Sequence, residues 1–240
     1  MKNLLLFLSF IFCITSSYLS AETPYSNGSV LNVFASSGLK LRAMPNTSAE
    51  VLDIVRYGDQ ILVLNNFEFA EDKCDQIEYV DGHWILVEYQ GIAGYLFDGY
   101  LSGLPFPSSQ DQLVDEGYSF AYTLGEYVDQ NFEFIRTLDS THNKQAYLLA
   151  NDIKVRRIIK ESTYDLRIDI PNVKISDLLN VMRSMLPNRE TRYQFDRQLV
   201  FIADDNGTIF KVKSKGPDHV SLELKENGHL VITAKGTTGC

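Results

Sequence analysis

Two mostly apolar six-residue runs, Trp84–Tyr89 and Ile92–Phe97, are separated by Gln90-Gly91 alone. A glycine between two such runs leaves the chain one economical course, to turn and pair them as an antiparallel hairpin. The two-residue period then puts Ile85, Val87 and Tyr89 on one face. Gly94, inside the second run, marks a bulge or a place where another backbone comes close. The stretch before the hairpin is built the same way. Leu39-Lys40-Leu41-Arg42 alternates apolar with charged, Ala43–Ser48 is rich in turn formers, and Val51–Val55 and Ile61–Leu64 flank Tyr57–Gln60. Short strands with glycine-marked turns and no helical period imply a small barrel or sandwich.

Those residues, taken in order, resemble the bacterial SH3 domain. The matching positions are Leu39, Leu41, Arg42, Pro45, Val51, Gly58, Trp84, Val87, Gly91, Gly94, Tyr95, Leu96, Tyr100 and Leu101, so the resemblance spans residues 30–104. His83 before Trp84 and the long acidic excursion from Asn65 to Val80 depart from the family pattern. The resemblance implies a small SH3-like β-barrel, without catalytic groups, that recognises peptidoglycan or an extended peptide or protein ligand in the cell envelope. The ligand-binding residues it implies are Trp84, Tyr95, Phe97, Tyr100 and Arg42, with Phe67 and Phe69 on the long loop. Core packing is the competing explanation for each ring, and a strand-end pairing with a local carboxylate is the competing one for Arg42.

The first residues bear on the compartment. Lys2 and Asn3 precede the apolar run Leu4–Ile14, and small polar residues follow to Ala21. This is the pattern of a secretory signal over residues 1–21, cut after Ala21. The run is short of the roughly 20 apolar residues a bilayer span needs, so no integral membrane segment is expected after its removal. Cys13 as a lipid-attachment site is disfavoured by the bulky Phe12 before it. An exported protein, periplasmic or extracellular, meets oxidising conditions, so Cys74 and Cys240 are a possible disulfide, with two unpaired thiols as the alternative. The net charge is −9, and Glu22–Gln110 holds 4 basic against 12 acidic residues. Such a balance excludes a basic footprint for nucleic acid.

Residues 105–112, with two prolines and two serines, read as a linker. Beyond it, residues 113–240 read as an α+β domain of no recognised family, an antiparallel sheet with one packed helix. Leu113–Gln130 leans towards strand and loop because Gly117 and Gly125 interrupt it. Strands are expected around Phe132–Arg136, Ala146–Leu149, Val155–Ile159 and Tyr164–Ile170. Ile175, Leu178, Leu179, Met182, Met185 and Leu186 recur at helical spacing, with Ser176 as cap and Pro187-Asn188 as stop. Two hairpins turn at Asn206-Gly207 and Asn227-Gly228, whose residues tolerate positive φ. The whole chain is therefore mainly β with an α+β second domain.

Catalytic patterns are missing from the sequence. Neither mature cysteine opens a helix with a histidine downstream, and there is no His-Glu-x-x-His, no Gly-x-Ser-x-Gly and no phosphate loop. His142, His219 and His229 are scattered, so no metal and no cofactor are expected. Asp204–Gly207 lacks the spacing of a calcium loop. A non-enzymatic envelope-binding protein is the leading expectation. An interaction subunit or inhibitor is the first alternative, and a hydrolase of unrecognised type in the second domain is the other.

Overall fold

The computed structural model describes residues 25–64, 75–77, 80–107, 119–161, 163–186, 188–205, 207–216 and 219–237. The expected signal segment, Phe67, Phe69, Cys74 and Cys240 lie outside them. The protein is mainly β, its described residues forming two large antiparallel sheets, a two-stranded ribbon and three α-helices.

The first sheet comprises β1 (Val30–Val33), β2 (Leu39–Arg42), β3 (Val51–Val55), β4 (Gln60–Val63), β7 (Trp84–Tyr89), β8 (Ile92–Phe97) and β9 (Leu101–Ser102), in the order β3-β2-β8-β7-β4-β1-β9. The ribbon is β5 (Asp75–Ile77) with β6 (Val80–Gly82). Every strand of the sheet sends side chains to one buried cluster, among them Leu31, Leu41, Val55, Ile61, Val87, Leu96 and Leu101. The β7–β8 hairpin is as expected. Tyr89 pairs with Ile92, and Gln90 and Gly91 take φ of 51° and 80°, both in the left-handed region a two-residue hairpin loop demands. Gly94 permits a close approach, since a Cβ there would lie 2.9 Å from the Leu41 side chain and 3.0 Å from the Arg42 carbonyl.

The second sheet runs β10-β11-β12-β13-β17-β16-β15-β14. Its strands are β10 (Phe134–Thr141), β11 (Lys144–Leu149), β12 (Lys154–Lys160), β13 (Thr163–Pro171), β14 (Leu199–Ala203), β15 (Ile209–Ser214), β16 (His219–Leu224) and β17 (His229–Thr237). Tyr164, Leu166, Ile168 and Ile170 are all buried, as their alternation requires. Their face carries three helices where the sequence led to one: α1 (Phe120–Asn131), α2 (Ile175–Ser184) and α3 (Arg189–Arg197).

Residues 113–118 of the strand and loop expected up to Gln130 lie outside the described residues, and from Phe120 on α1 replaces that expectation. Ser119 caps it, its hydroxyl accepting from Tyr122 N–H, and Phe120, Leu124, Tyr127 and Val128 form the buried stripe. Ser176 does not cap α2. The cap is Lys174, two residues earlier, with Asp177 Oδ2 accepting from Lys174 N–H at 3.0 Å. Asn188, expected only to stop α2, caps α3 through Oδ1 to Thr191 N–H at 3.0 Å. At Asn227-Gly228 only the glycine has positive φ. Gly228 N–H reaches Lys225 O and Lys225 N–H reaches His229 O, so the loop is a turn closed by a glycine bulge, not a two-residue loop.

Among the described residues no helix covers the opposite face of this sheet, which is largely ionic. Its pairs include Lys144 with Asp139 at 2.6 Å and Lys211 with Glu223 at 2.7 Å; Lys225 also reaches Glu223. Hydrogen bonds from Lys211 and then Lys225 hold the Glu223 carboxyl down at about 2 from its ordinary 4.5. The folded value is the depressed one, so its stabilisation is present above about pH 4.5 and is lost as pH falls towards 2. Because both side chains keep about a quarter of their surface in solvent, the energy is small, under about 1 kcal/mol. Carboxyl NMR should show Glu223 ionised at pH 3, and Lys211→Met should raise its midpoint; an ordinary glutamate titration in the parent protein would remove the argument.

The halves meet through polar groups that are themselves buried. Asp98 opens a single 3-10 turn (Asp98–Tyr100) after β8 and is 3% exposed. Its Oδ1 accepts from His83 N–H at 2.6 Å and its Oδ2 from Lys174 Nζ at 2.8 Å. Tyr25 donates to Asp177 Oδ1 at 2.7 Å, and Asn180 Nδ2 donates to Gly99 O at 3.1 Å. Burial pushes the Asp177 carboxyl up, opposed by the Tyr25 hydroxyl and the Lys174 N–H. Apolar contacts extend the junction. Phe106 of the expected linker stacks on Phe34 at 4.3 Å, and Tyr127 donates to Pro105 O at 2.8 Å.

Candidate functional site

β2, β8 and β7 lie side by side, and their register decides which side chains share the outer face. Arg42 is opposite Tyr95, Tyr95 opposite Leu86, and Trp84 opposite Phe97. Leu41, Leu96, Ile85 and Val87 point into the core, so Arg42, Tyr95, Leu86 and Trp84 stand together on the other side, each half-buried. The structure thus gathers three of the five residues singled out by the resemblance, Arg42, Trp84 and Tyr95, onto one surface.

The other two sit differently. Phe97 is 0% exposed, enclosed by Trp84 at 5.9 Å, Tyr100 at 6.1 Å and Gly82. It cannot present a ring to a ligand, and its expected binding role is corrected to support. Tyr100 is half-buried behind it, its hydroxyl donating to Ile77 O at 3.1 Å. The β5–β6 ribbon also holds Trp84, whose Nε1–H donates to Asp75 Oδ2 at 2.9 Å. Among the described residues Arg42 is paired with no carboxylate; its guanidinium donates to Ala49 O at 2.7 Å and steadies the β2–β3 loop. Leu86 was missed because an aliphatic residue inside an apolar run reads as core.

Chemically the surface offers ring faces and aliphatic area. The indole N–H is engaged by Asp75 and the Arg42 head is turned in part to Ala49 O, so the surface is suited to stacking and apolar contact. Among the described residues no group of three or more His, Cys, Asp or Glu side chains is placed to hold a metal ion. His229 is taken up by Asp169 at 2.5 Å on the open face of the second sheet. No described helix is long and apolar enough to cross a membrane. No family model matches the chain, and no curated protein matches it either.

Proposed function

We propose that the chain is an exported, non-enzymatic binding protein of the cell envelope, and that its first half is an SH3-like barrel recognising peptidoglycan or an extended peptide. The observation that carries this reading is the outer row Arg42, Tyr95, Leu86 and Trp84, half-exposed and braced from behind by Phe97, Tyr100 and the ribbon. The Trp84 indole, its N–H already bonded to Asp75, loses little on binding and stays in place, which suits stacking on sugar or peptide planes. The single core fed by all seven strands of the first sheet supports a barrel. Leu4–Ile14 before Ala21 supports export.

The test is retention of the mature full chain on purified peptidoglycan at low salt. Trp84→Ala with Tyr95→Ala should weaken retention about tenfold while leaving the thermal midpoint within a few degrees, since both side chains are partly exposed. Stem peptides and bare glycan strands as competitors separate the two ligand classes. Equal retention of parent and double variant, or none by the parent, would sink the reading.

A further inference from the structure

The helices do not roof the whole second sheet. α1 packs on β13 and β17, and beyond its C-terminal end a pocket of about 380 Å³ opens over β10, β11 and β12. The shape of β10 decides what lines it. The strand has two bulges, between Phe134 and Arg136 and between Thr137 and Asp139. They break the two-residue alternation, so that Phe134, Thr137 and Ser140 lie opposite Leu149, Tyr147 and Gln145 and all turn to the pocket side.

The floor is Tyr147 and Arg157. Tyr147 donates to Asp129 Oδ1 at 2.5 Å, and Arg157 Nη2 reaches Asp129 Oδ2 and Gly125 O, both at 2.6 Å. The Phe134 ring stands at the mouth, 57% exposed and 6.3 Å from the Tyr147 ring. Every charge of the lining is already paired, Asp129 with Arg157 and Asp139 with Lys144. An ionic ligand would have to break one of those pairs. An uncharged polyhydroxylated ligand would not, because the Asp129 carboxylate keeps lone pairs to accept hydroxyl hydrogens and Thr137, Ser140 and Gln145 supply further polar groups. An exposed aromatic plate, planar polar groups and room for one or two rings are what a sugar requires.

We infer that this pocket binds an uncharged saccharide, one ring seated against Phe134 and its hydroxyls on Asp129, Gln145 and Thr137. The inference deepens the envelope-binding reading, from which it takes only the source of the glycan. It is tested on the mature full chain by NMR titration with the neutral N-acetylglucosamine trimer, with cellotriose and maltotriose beside it and a galacturonate trimer as the charged comparison. Shifts are expected at Phe134–Ser140 and Gln145–Tyr147 for at least one neutral trimer. Phe134→Ala should reduce that affinity about tenfold, and Gln145→Ala severalfold, without moving the thermal midpoint. Absence of shifts there with every neutral trimer at millimolar concentration, tighter binding of the charged trimer, or an unchanged affinity in Phe134→Ala would each overturn the site. The two readings fail separately: peptidoglycan retention lost through Trp84 and Tyr95 says nothing against shifts at Phe134, and silent Phe134 resonances leave that retention standing.

Discussion

Asp98→Ala is expected to lower the unfolding free energy by about 3 kcal/mol, measured by urea denaturation. Breaking a buried ion pair by removing one partner costs about 3–5 kcal/mol, because the other charge is left buried without compensation. Asp98 is 3% exposed and answers two donors from different halves of the chain, His83 N–H and Lys174 Nζ. Lys174, however, keeps 23% of its side chain in solvent and lies 4.1 Å over the Tyr25 ring, so its ammonium retains some solvation and a cation–π contact. That places the loss at the lower end of the range. Asp98→Asn, which keeps an acceptor for His83, should cost less than the alanine. Lys174→Met should rival the alanine, since it strands the more deeply buried partner. A loss under 1 kcal/mol for Asp98→Ala would show that the junction does not depend on this carboxylate.

The second large effect runs against helix propensity. Gly125 lies inside α1, where alanine is ordinarily favoured by about 1 kcal/mol. Here a Cβ would sit 2.5 Å from the Tyr164 hydroxyl and 3.2 Å from Arg157 Nη2, the atom that donates to the Gly125 carbonyl. Overpacking of this kind costs about 1–3 kcal/mol, and displacing a charged donor adds to it. Gly125→Ala should therefore destabilise by about 2 kcal/mol net. The Tyr164 hydroxyl is buried and has no hydrogen-bond partner among the described residues, so Tyr164→Phe should be close to neutral. In that background Gly125→Ala should become neutral or stabilising. A double-mutant cycle reads the difference directly, and a stabilising Gly125→Ala in the parent would refute the close contact.

The same glycine explains why α1 could not be read from the sequence. Gly125 looks like an interruption, yet it is the point where a helix lets a tyrosine and an arginine from the sheet approach its backbone. α3 was illegible for the opposite reason. Arg189–Arg197 is polar almost throughout, Phe195 is its one buried apolar residue, and Asn188 looks like a stop for the helix before it. The strands were far more legible, because Tyr164–Ile170 and Ile85–Tyr89 carry their burial in a period of two. In the candidate site, Trp84, Tyr95 and Arg42 stood out only through a family pattern. Phe97 was misassigned because its cover comes from Gly82 and Tyr100, which no local pattern relates to it. The Phe134 pocket was invisible for a related reason: two bulges change which residues look the same way, and a bulge leaves no mark in a row of side chains.

The buried polar junction among Asp98, Lys174, Asp177 and Asn180 makes the two halves prongs of one fork, not beads on a string. Prongs keep a constant spacing. A long repetitive polymer that meets both does so without the entropy of a searching tether, and its avidity depends on whether its repeat matches the gap. Under the two proposals above, a polymer whose repeat misfits that gap engages one surface at a time.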